Sequence, residues 1–341
     1  MFYLIPLISA FLLAAVFTPL TKKLAEKLNV VDFPAPRKIH QKPIPLLGGL
    51  AIFFAFSLTA VIFWSAGYIQ DIKITNLNVA AILISGLILM IGGFLDDAYN
   101  LKPIQQFSWP ILAILIVLVS GIRIEYVTNP LGGILQFPAN FGVIIAFFWL
   151  LGMTYTTKFL DGLDGLVCGI TAIGSIIIFV VSLYWDVALS GTSILALILA
   201  GSCLGFLIFN WHPAKIFLGE GGSVFCGFML GVLAIISGSK IATALLIMGI
   251  PILDVFWVIV RRIWERKKPT QADTKHLHFR LLDIGLSHRQ TVILLYGITV
   301  IFGLSSLFLH SQGKLVALGV LAIAMAGLGF GLILIYRHQH G

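Results

Sequence analysis

The segment VAAILISGLILMIGGFLDDAYN, residues 79–100, contains the two features that decide the fold. Its first part is an apolar run that is nearly long enough to cross a bilayer as a helix, which takes about 20 residues. The run stops at two adjacent carboxylates, Asp96 and Asp97. A second apolar run stops in the same way at FLDGLDGL, which holds Asp161 and Asp164. Because charge near a bilayer is costly, these four carboxylates indicate a functional site at one membrane face.

The composition predicts a protein that crosses the membrane many times. Of its 341 residues, 59% are hydrophobic and 11% are charged, and the mean hydropathy is +1.04. A soluble domain carries about a quarter charged residues. Since lipid cannot satisfy backbone polar groups, the spans are expected to be helices. We therefore predict an all-α polytopic membrane protein, with a single integral membrane domain over residues 1–341.

The apolar runs predict about eleven transmembrane helices, with ten as the alternative count. No basic residue precedes the first run, so we expect a retained span that starts outside rather than a cleaved signal peptide. Three cysteines lie in apolar runs without metal-binding spacing and are expected to be buried packing residues. The predicted spans lie near residues 1–20, 46–68, 79–95, 105–121, 139–157, 166–185, 190–209, 222–237, 240–260, 290–310 and 314–336.

Lysine and arginine are divided unevenly between the two sets of loops. Of the 22 such residues, only Lys73, Arg123, Lys240 and Lys314 fall in one set, which leaves 18 in the other. Cytoplasmic loops carry the excess of positive charge, so the larger set is predicted to face the cytoplasm. This division explains the net charge of +8 without a nucleic-acid partner. We expect the protein to lie in the cell inner (cytoplasmic) membrane.

The unusual polar stretches all fall on the predicted cytoplasmic side, and we expect them to converge in one active-site cleft. Asp161 and Asp164 would share one face of a helical turn, and Asp96 and Asp97 would point about 100° apart on a helix. The alternative is that these carboxylates are helix caps and solvated end charges. The stretches are residues 21–45, 96–104, 158–165, 210–222 and 261–289.

Basic residues in the same stretches are candidates for binding phosphate. Positive-inside topology explains those of the first loop equally well. A zinc pair at His276 and His278 is an alternative, but no third ligand follows at standard spacing. Asp254, in an apolar run, is expected to cap backbone groups or to pair with a cation. The candidate substrate-binding residues are Arg37, Lys38, Lys158, Lys215, His276, His278 and Arg280.

Together these motifs resemble those of the polyprenyl-phosphate N-acetylhexosamine-1-phosphate transferase family, from RKIHQKPIPLLGG through HLHFRLL. The resemblance implies a multi-span enzyme that transfers a sugar-1-phosphate from a UDP-sugar to polyprenyl (undecaprenyl) phosphate and releases UMP. HLHFR is similar to a motif of the branch that uses UDP-GlcNAc to initiate teichoic acid, lipopolysaccharide O-antigen or related envelope glycans. The alternative within the family is phospho-MurNAc-pentapeptide transfer for peptidoglycan.

The resemblance also implies roles for individual residues. It makes Asp96, Asp97, Asp161 and Asp164 catalytic and Mg²⁺ (or Mn²⁺) the cofactor, since hard oxygen ligands and substrate phosphates suit this ion. The implied metal ligands are Asp97, Asp164 and Glu220. The lipid bilayer is an expected partner, nucleic acid is not, and a homodimer is an open expectation.

Three positions depart from the family pattern. Lys158 stands where the family has a metal-binding Asn, Glu220 replaces an Asp, and Gln106 replaces a Lys. We expect Lys158 to pair with Glu220 and to weaken metal binding, because a protonated lysine cannot ligate a metal. The alternative is a Lys158 that only extends to the membrane surface. A different class of function, a non-catalytic lipid-binding or transport protein with a degenerate site, is the rival interpretation.

Overall fold

The computed structural model describes residues 2–34, 42–71, 74–129, 132–185, 190–238, 240–264 and 276–340. Within these ranges the chain forms helices and two antiparallel hairpins. The hairpins are β1 (Val31–Asp32) with β2 (Ile44–Pro45), and β3 (Tyr126–Thr128) with β4 (Ile134–Gln136). The helices are α1 (Leu4–Lys27), α2 (Gly48–Ser65), α3 (Asn76–Tyr99), α4 (Pro103–Val119), α5 (Ala139–Leu160), α6 (Leu166–Trp185), α7 (Gly191–Asn210), α8 (Gly219–Ile236), α9 (Ile241–Ile247), α10 (Gly249–Trp264), α11 (Leu277–Asp283), α12 (His288–Phe308) and α13 (Ser311–His340).

The all-α membrane fold is confirmed, and the alternative count of ten spans agrees with the upper count in the described part of the chain. In the described part of the chain, nine helices are long and apolar enough to cross a membrane, or ten if α9 and α10 form one bent span. The predicted eleven included α4, which has only 17 residues. It also treated 240–260 as continuous, whereas α9 and α10 meet at 76°. Pro251 lacks the N–H that would bond back to Ile247, so the helical ladder is interrupted there.

Helix α8 lies at the centre of the bundle, although its apolar run was the shortest of the predicted spans. Its apolar window is 94% buried, against 28% for α1. Glycines allow the close packing. Gly93 of α3 lies against Gly221, and Gly49 of α2 lies against Gly222, so a methyl group at Gly93 or Gly49 would overlap the backbone of α8. This contact brings the end of α3 to the start of α8.

The ends of several helices meet at one end of the bundle and enclose a cleft. The walls come from the C-terminal ends of α1, α3, α5 and α7 and from the N-terminal ends of α8 and α12. The β1–β2 hairpin adds a further wall. The three cysteines Cys168, Cys203 and Cys226 are buried in the helices, as their apolar surroundings predicted.

Candidate active site

The cleft has a volume of about 910 Å³ and collects most of the carboxylates and lysines selected from the sequence. They come from three separate polar stretches, and Asp97 and Glu220, which touch, are 123 positions apart. The structure places these residues around one cleft. The predicted site residues that line it are Asp96, Asp97, Lys158, Asp161, Asp164, Lys215 and Glu220.

Asp97 joins the end of α3 to the start of α8. Its two carboxylate oxygens accept hydrogen bonds from the backbone N–H of Glu220, at 3.2 and 3.1 Å. A carboxylate at a helix N-terminus is stabilised by the helix dipole. Gly219 precedes this contact with φ +75°, and a Cβ there would lie 2.6 Å from Asp97 Oδ2. Glycine is therefore required at this turn for both its conformation and its size.

Lys158 pairs with Glu220, as the sequence analysis predicted. Its Nζ lies 2.5 Å from Glu220 Oε1, and the two side chains are only 18% and 20% exposed. Lys158 Nζ also donates to Gln106 Oε1 at 3.2 Å, and Gln106 Nε2 donates to Asp96 Oδ1 at 3.0 Å. A continuous chain of contacts therefore links Glu220 to Asp96 through one ammonium and one amide. This chain places a positive charge among the carboxylates.

Asp161 follows α5, and its side chain opens into the cleft. The cleft walls remove part of the hydration of its carboxylate, and the negative charges of Glu220 and Asp164 add to the effect. Together they raise the pKa of Asp161 to about 8. At neutral pH this carboxyl group therefore retains a proton unless a cation lies close to it. The cleft carries more negative charge than Lys158 alone offsets.

Asp164 is held by the segment that follows α7. Its Oδ2 lies 2.6 Å from His212 Nδ1 and accepts a hydrogen bond from the Ala214 N–H at 3.1 Å. The His212 ring stacks on His288, with the ring centres 4.0 Å apart and the planes 16° apart. Arg289 donates two hydrogen bonds to the His212 carbonyl, at 3.0 and 2.8 Å. Together these contacts fasten the start of α12 to the cleft wall.

His212 and His288 were missed in the sequence analysis. Each is a single histidine without a repeated spacing. The only available signal was the position of His212 within the polar stretch FNWHPAK. Their proximity depends on the packing of α12 against α6, which the sequence pattern alone does not specify.

His276 and His278 lie behind the cleft and are not among the described residues that line it. Asp254 holds this segment: its Oδ2 lies 2.8 Å from His276 Nδ1, and its Oδ1 accepts from the Leu277 N–H at 2.8 Å. Asp254 therefore joins α10 to the start of α11, through one backbone N–H and one histidine ring. Burial, aided by the neighbouring His276, lowers the pKa of His278 to about 3. The neutral His278 ring packs on Gly162, between the two cleft aspartates.

The other predicted substrate-binding residues, Arg37, Lys38 and Arg280, are not among the described residues that line the cleft. Arg37 and Lys38 lie outside the described residues, as does the 265–275 part of the last polar stretch. Arg280 lies half-buried on α11 and is not among the described residues that line the cleft. Its neighbour Phe279 contributes to the lining instead.

The helical membrane bundle and its acidic cleft define a class of membrane-embedded transferases. Residues 79–238, which contain the cleft carboxylates from Asp96 to Glu220, match glycosyl transferase family 4. The chain belongs to this family, within the polyprenyl-phosphate N-acetylhexosamine-1-phosphate transferases. The resemblance inferred from the motifs is thereby confirmed.

Individual relatives of the chain come from several bacterial groups. A Bacillus subtilis (strain 168) protein named "Probable undecaprenyl-phosphate N-acetylglucosaminyl 1-phosphate transferase" is 33% identical, over 89% of this chain and 84% of the relative. The decaprenyl-phosphate N-acetylglucosaminephosphotransferase of Mycobacterium leprae (strain TN) is 32% identical, over 95% and 88%. The undecaprenyl-phosphate alpha-N-acetylglucosaminyl 1-phosphate transferase of Yersinia pestis is 28% identical, over 85% and 79%.

Proposed function

We propose that this protein transfers N-acetylglucosamine-1-phosphate from UDP-GlcNAc to undecaprenyl phosphate. The products are UMP and undecaprenyl diphosphate-GlcNAc, the starting unit of an envelope glycan such as teichoic acid or lipopolysaccharide. The observation that carries the proposal is the cleft in which carboxylates and lysines meet at one end of the apolar bundle. The choice of sugar and lipid is supported by the names of the relatives.

The reaction is proposed to take place at the cytoplasmic face of the inner membrane. The lysines that line the cleft, Lys22, Lys42, Lys158 and Lys215, all belong to the larger set of cations. Positive charge of this kind accumulates in cytoplasmic loops. Because the cleft is formed by the ends of apolar helices, a polyprenyl phosphate can present its head group there while its tail stays in lipid.

The chemical task is to bring two anions together. The acceptor phosphate must attack a diphosphate, and the cleft lysines reduce the repulsion between them. A phosphate monoester has a second pKa near 6, so the acceptor is largely dianionic at neutral pH. A general base therefore contributes little, and Asp96 and Asp97 act mainly by positioning. The anchoring of Asp97 on the Glu220 N–H supplies that rigidity.

A divalent cation, Mg²⁺ or Mn²⁺, is part of the proposal, and the residues present fit it. Asp97, Asp161 and Glu220 offer the oxygen ligands that such ions prefer. Desolvation in the cleft, together with the negative charges of Glu220 and Asp164, raises the pKa of Asp161. We assign the ion to Asp97, Asp161 and Glu220. The Asp164 Oδ2 contacts the His212 ring rather than another carboxylate, so we leave Asp164 out of this set. When bound, the ion would neutralise charge on the diphosphate.

The test is transfer of label from UDP-[¹⁴C]GlcNAc to undecaprenyl phosphate by purified protein, measured in the organic phase. We expect transfer by the native protein, and little by Asp97→Asn. A panel of UDP-sugars identifies the donor. Absence of label with every donor would favour the lipid-binding or transport interpretation. Light scattering of the same preparation tests the expected homodimer.

A further inference from the structure

We propose that Asp164, His212 and His288 form a binding site for a transition-metal ion, with Zn²⁺ as the best fit. This site is separate from the Mg²⁺ ligands proposed above. It does not depend on transferase activity, since metal binding is measured without substrates.

The three side chains are already grouped as a ligand set. Each offers one ligand atom, and these atoms lie within 4.8 Å of one another. Zinc bonds of about 2.0–2.2 Å place tetrahedral ligand atoms about 3.3 Å apart. Small side-chain rotations therefore suffice to close the set around an ion. The 2.6 Å contact between Asp164 and His212 would open slightly, because the ion replaces the proton that they share.

His288 gives an independent indication that a ligand is needed. Both of its ring nitrogens are shielded from solvent, and within the described parts of the chain neither makes a hydrogen bond of standard geometry, although the ring lies beside the Asp164 backbone. The ring is nonetheless held in place by stacking on His212. A metal ion beside the Asp164 carboxylate would satisfy one of these nitrogens.

The donor chemistry favours zinc over magnesium. Two imidazole nitrogens with one carboxylate oxygen suit Zn²⁺ and its first-row neighbours, whereas Mg²⁺ prefers oxygen alone. Neighbouring groups also hold the metal ligands in place by hydrogen bonds. The Ala214 N–H holds the carboxylate, and Arg289 holds the His212 backbone, as is usual around metal ligands.

The cluster lies where an ion can enter from the cleft and where it would connect separate parts of the cleft wall. All three residues line the open cleft, so an ion can reach them from solvent. Asp164 precedes α6, His212 follows α7, and His288 begins α12. A bound ion would therefore join three separate segments of the cleft wall. We expect it to raise the unfolding temperature of the protein.

The experiment measures zinc per chain in detergent-purified protein that carries no histidine tag, after dialysis against Zn²⁺ in excess Mg²⁺. We expect one Zn²⁺ per chain and stabilisation against thermal unfolding. His288→Ala should weaken zinc binding by more than about 100-fold. Losing a residue that only hydrogen-bonds to a metal ligand already costs about 10–100-fold in affinity, and this change removes a ligand itself. His310→Ala, at the other end of α12 and exposed, removes an equivalent imidazole and should bind zinc normally.

A second variant shows whether a loss of zinc binding in His288→Ala comes from the missing ligand or from misfolding. His288→Cys retains a metal ligand, so it should still bind one ion. With Co²⁺ in place of Zn²⁺, it should acquire a thiolate-to-cobalt absorption band that native protein and His310→Cys lack. The proposal is overturned if the native protein holds no stoichiometric zinc, if His288→Ala binds it normally, or if His288→Cys shows no such band.

Discussion

Replacing Lys158 with asparagine tests whether this lysine competes with a metal ion for Glu220. The two side chains meet at 2.5 Å and are mostly buried. With an effective dielectric constant of about 20, their direct attraction at that distance is about 7 kcal/mol. Desolvation offsets most of it, leaving a net value of about 1–3 kcal/mol, between the ranges for exposed and buried pairs. A divalent ion that binds Glu220 must displace this pair.

Lys158→Asn should therefore strengthen Mg²⁺ binding by about 1–3 kcal/mol, or roughly 5- to 150-fold. Two measurements report this change: label transfer against Mg²⁺ concentration, and thermal unfolding against Mg²⁺ concentration. Without Mg²⁺ the variant should unfold at a lower temperature than the native protein, because Glu220 loses its partner. With saturating Mg²⁺ it should gain about 1.4 kcal/mol more than the native protein for each tenfold gain in affinity.

Lys22→Asn is the matched control. Lys22 also lines the cleft and pairs with a carboxylate, Glu26, but at 3.8 Å and with 38% and 51% exposure. An exposed pair of this kind contributes about 0–1 kcal/mol, so its loss should shift the Mg²⁺ midpoint by less than about fivefold. If Lys158→Asn leaves the Mg²⁺ dependence unchanged, or shifts it no more than Lys22→Asn does, the competition between Lys158 and the ion is refuted.

Three further predictions address packing, protonation and the buried histidine segment. Gly93→Ala should lower both the unfolding temperature and transfer, because the added methyl meets the α8 backbone, whereas Gly152→Ala, with nothing within 4 Å, should be neutral or slightly stabilising. The raised pKa of Asp161, about 8, means that the metal-free carboxyl is protonated at pH 7. Mg²⁺ affinity should then rise with pH through 8, with proton release detected by calorimetry in two buffers, and Asp161→Asn should abolish both effects. Asp254→Asn should destabilise the protein by about 1–3 kcal/mol, since a buried histidine loses its carboxylate partner; an unchanged unfolding temperature would contradict this.

Much of the candidate site was accessible from the sequence because its carboxylates interrupt apolar runs. Asp97, Asp161 and Glu220 stand out for this reason, and all three line the cleft. The histidine motif was less informative. His276 and His278 lie in a polar stretch on the same side, yet they are buried behind the cleft. Motif position predicted the neighbourhood of these side chains, but not the direction in which they point.

The resemblance of the motifs to the family predicted the pairing of Lys158 with Glu220. The sequence by itself determined the helical membrane fold and the end of the bundle that carries the site. These follow from local rules, because a lipid environment dictates where helices run and where charge is tolerated. Only the tertiary structure decided that Asp164 meets His212 and that the 240–260 run bends. These outcomes depend on how helices rotate and approach one another, which glycine contacts and backbone breaks fix only once the whole bundle is packed.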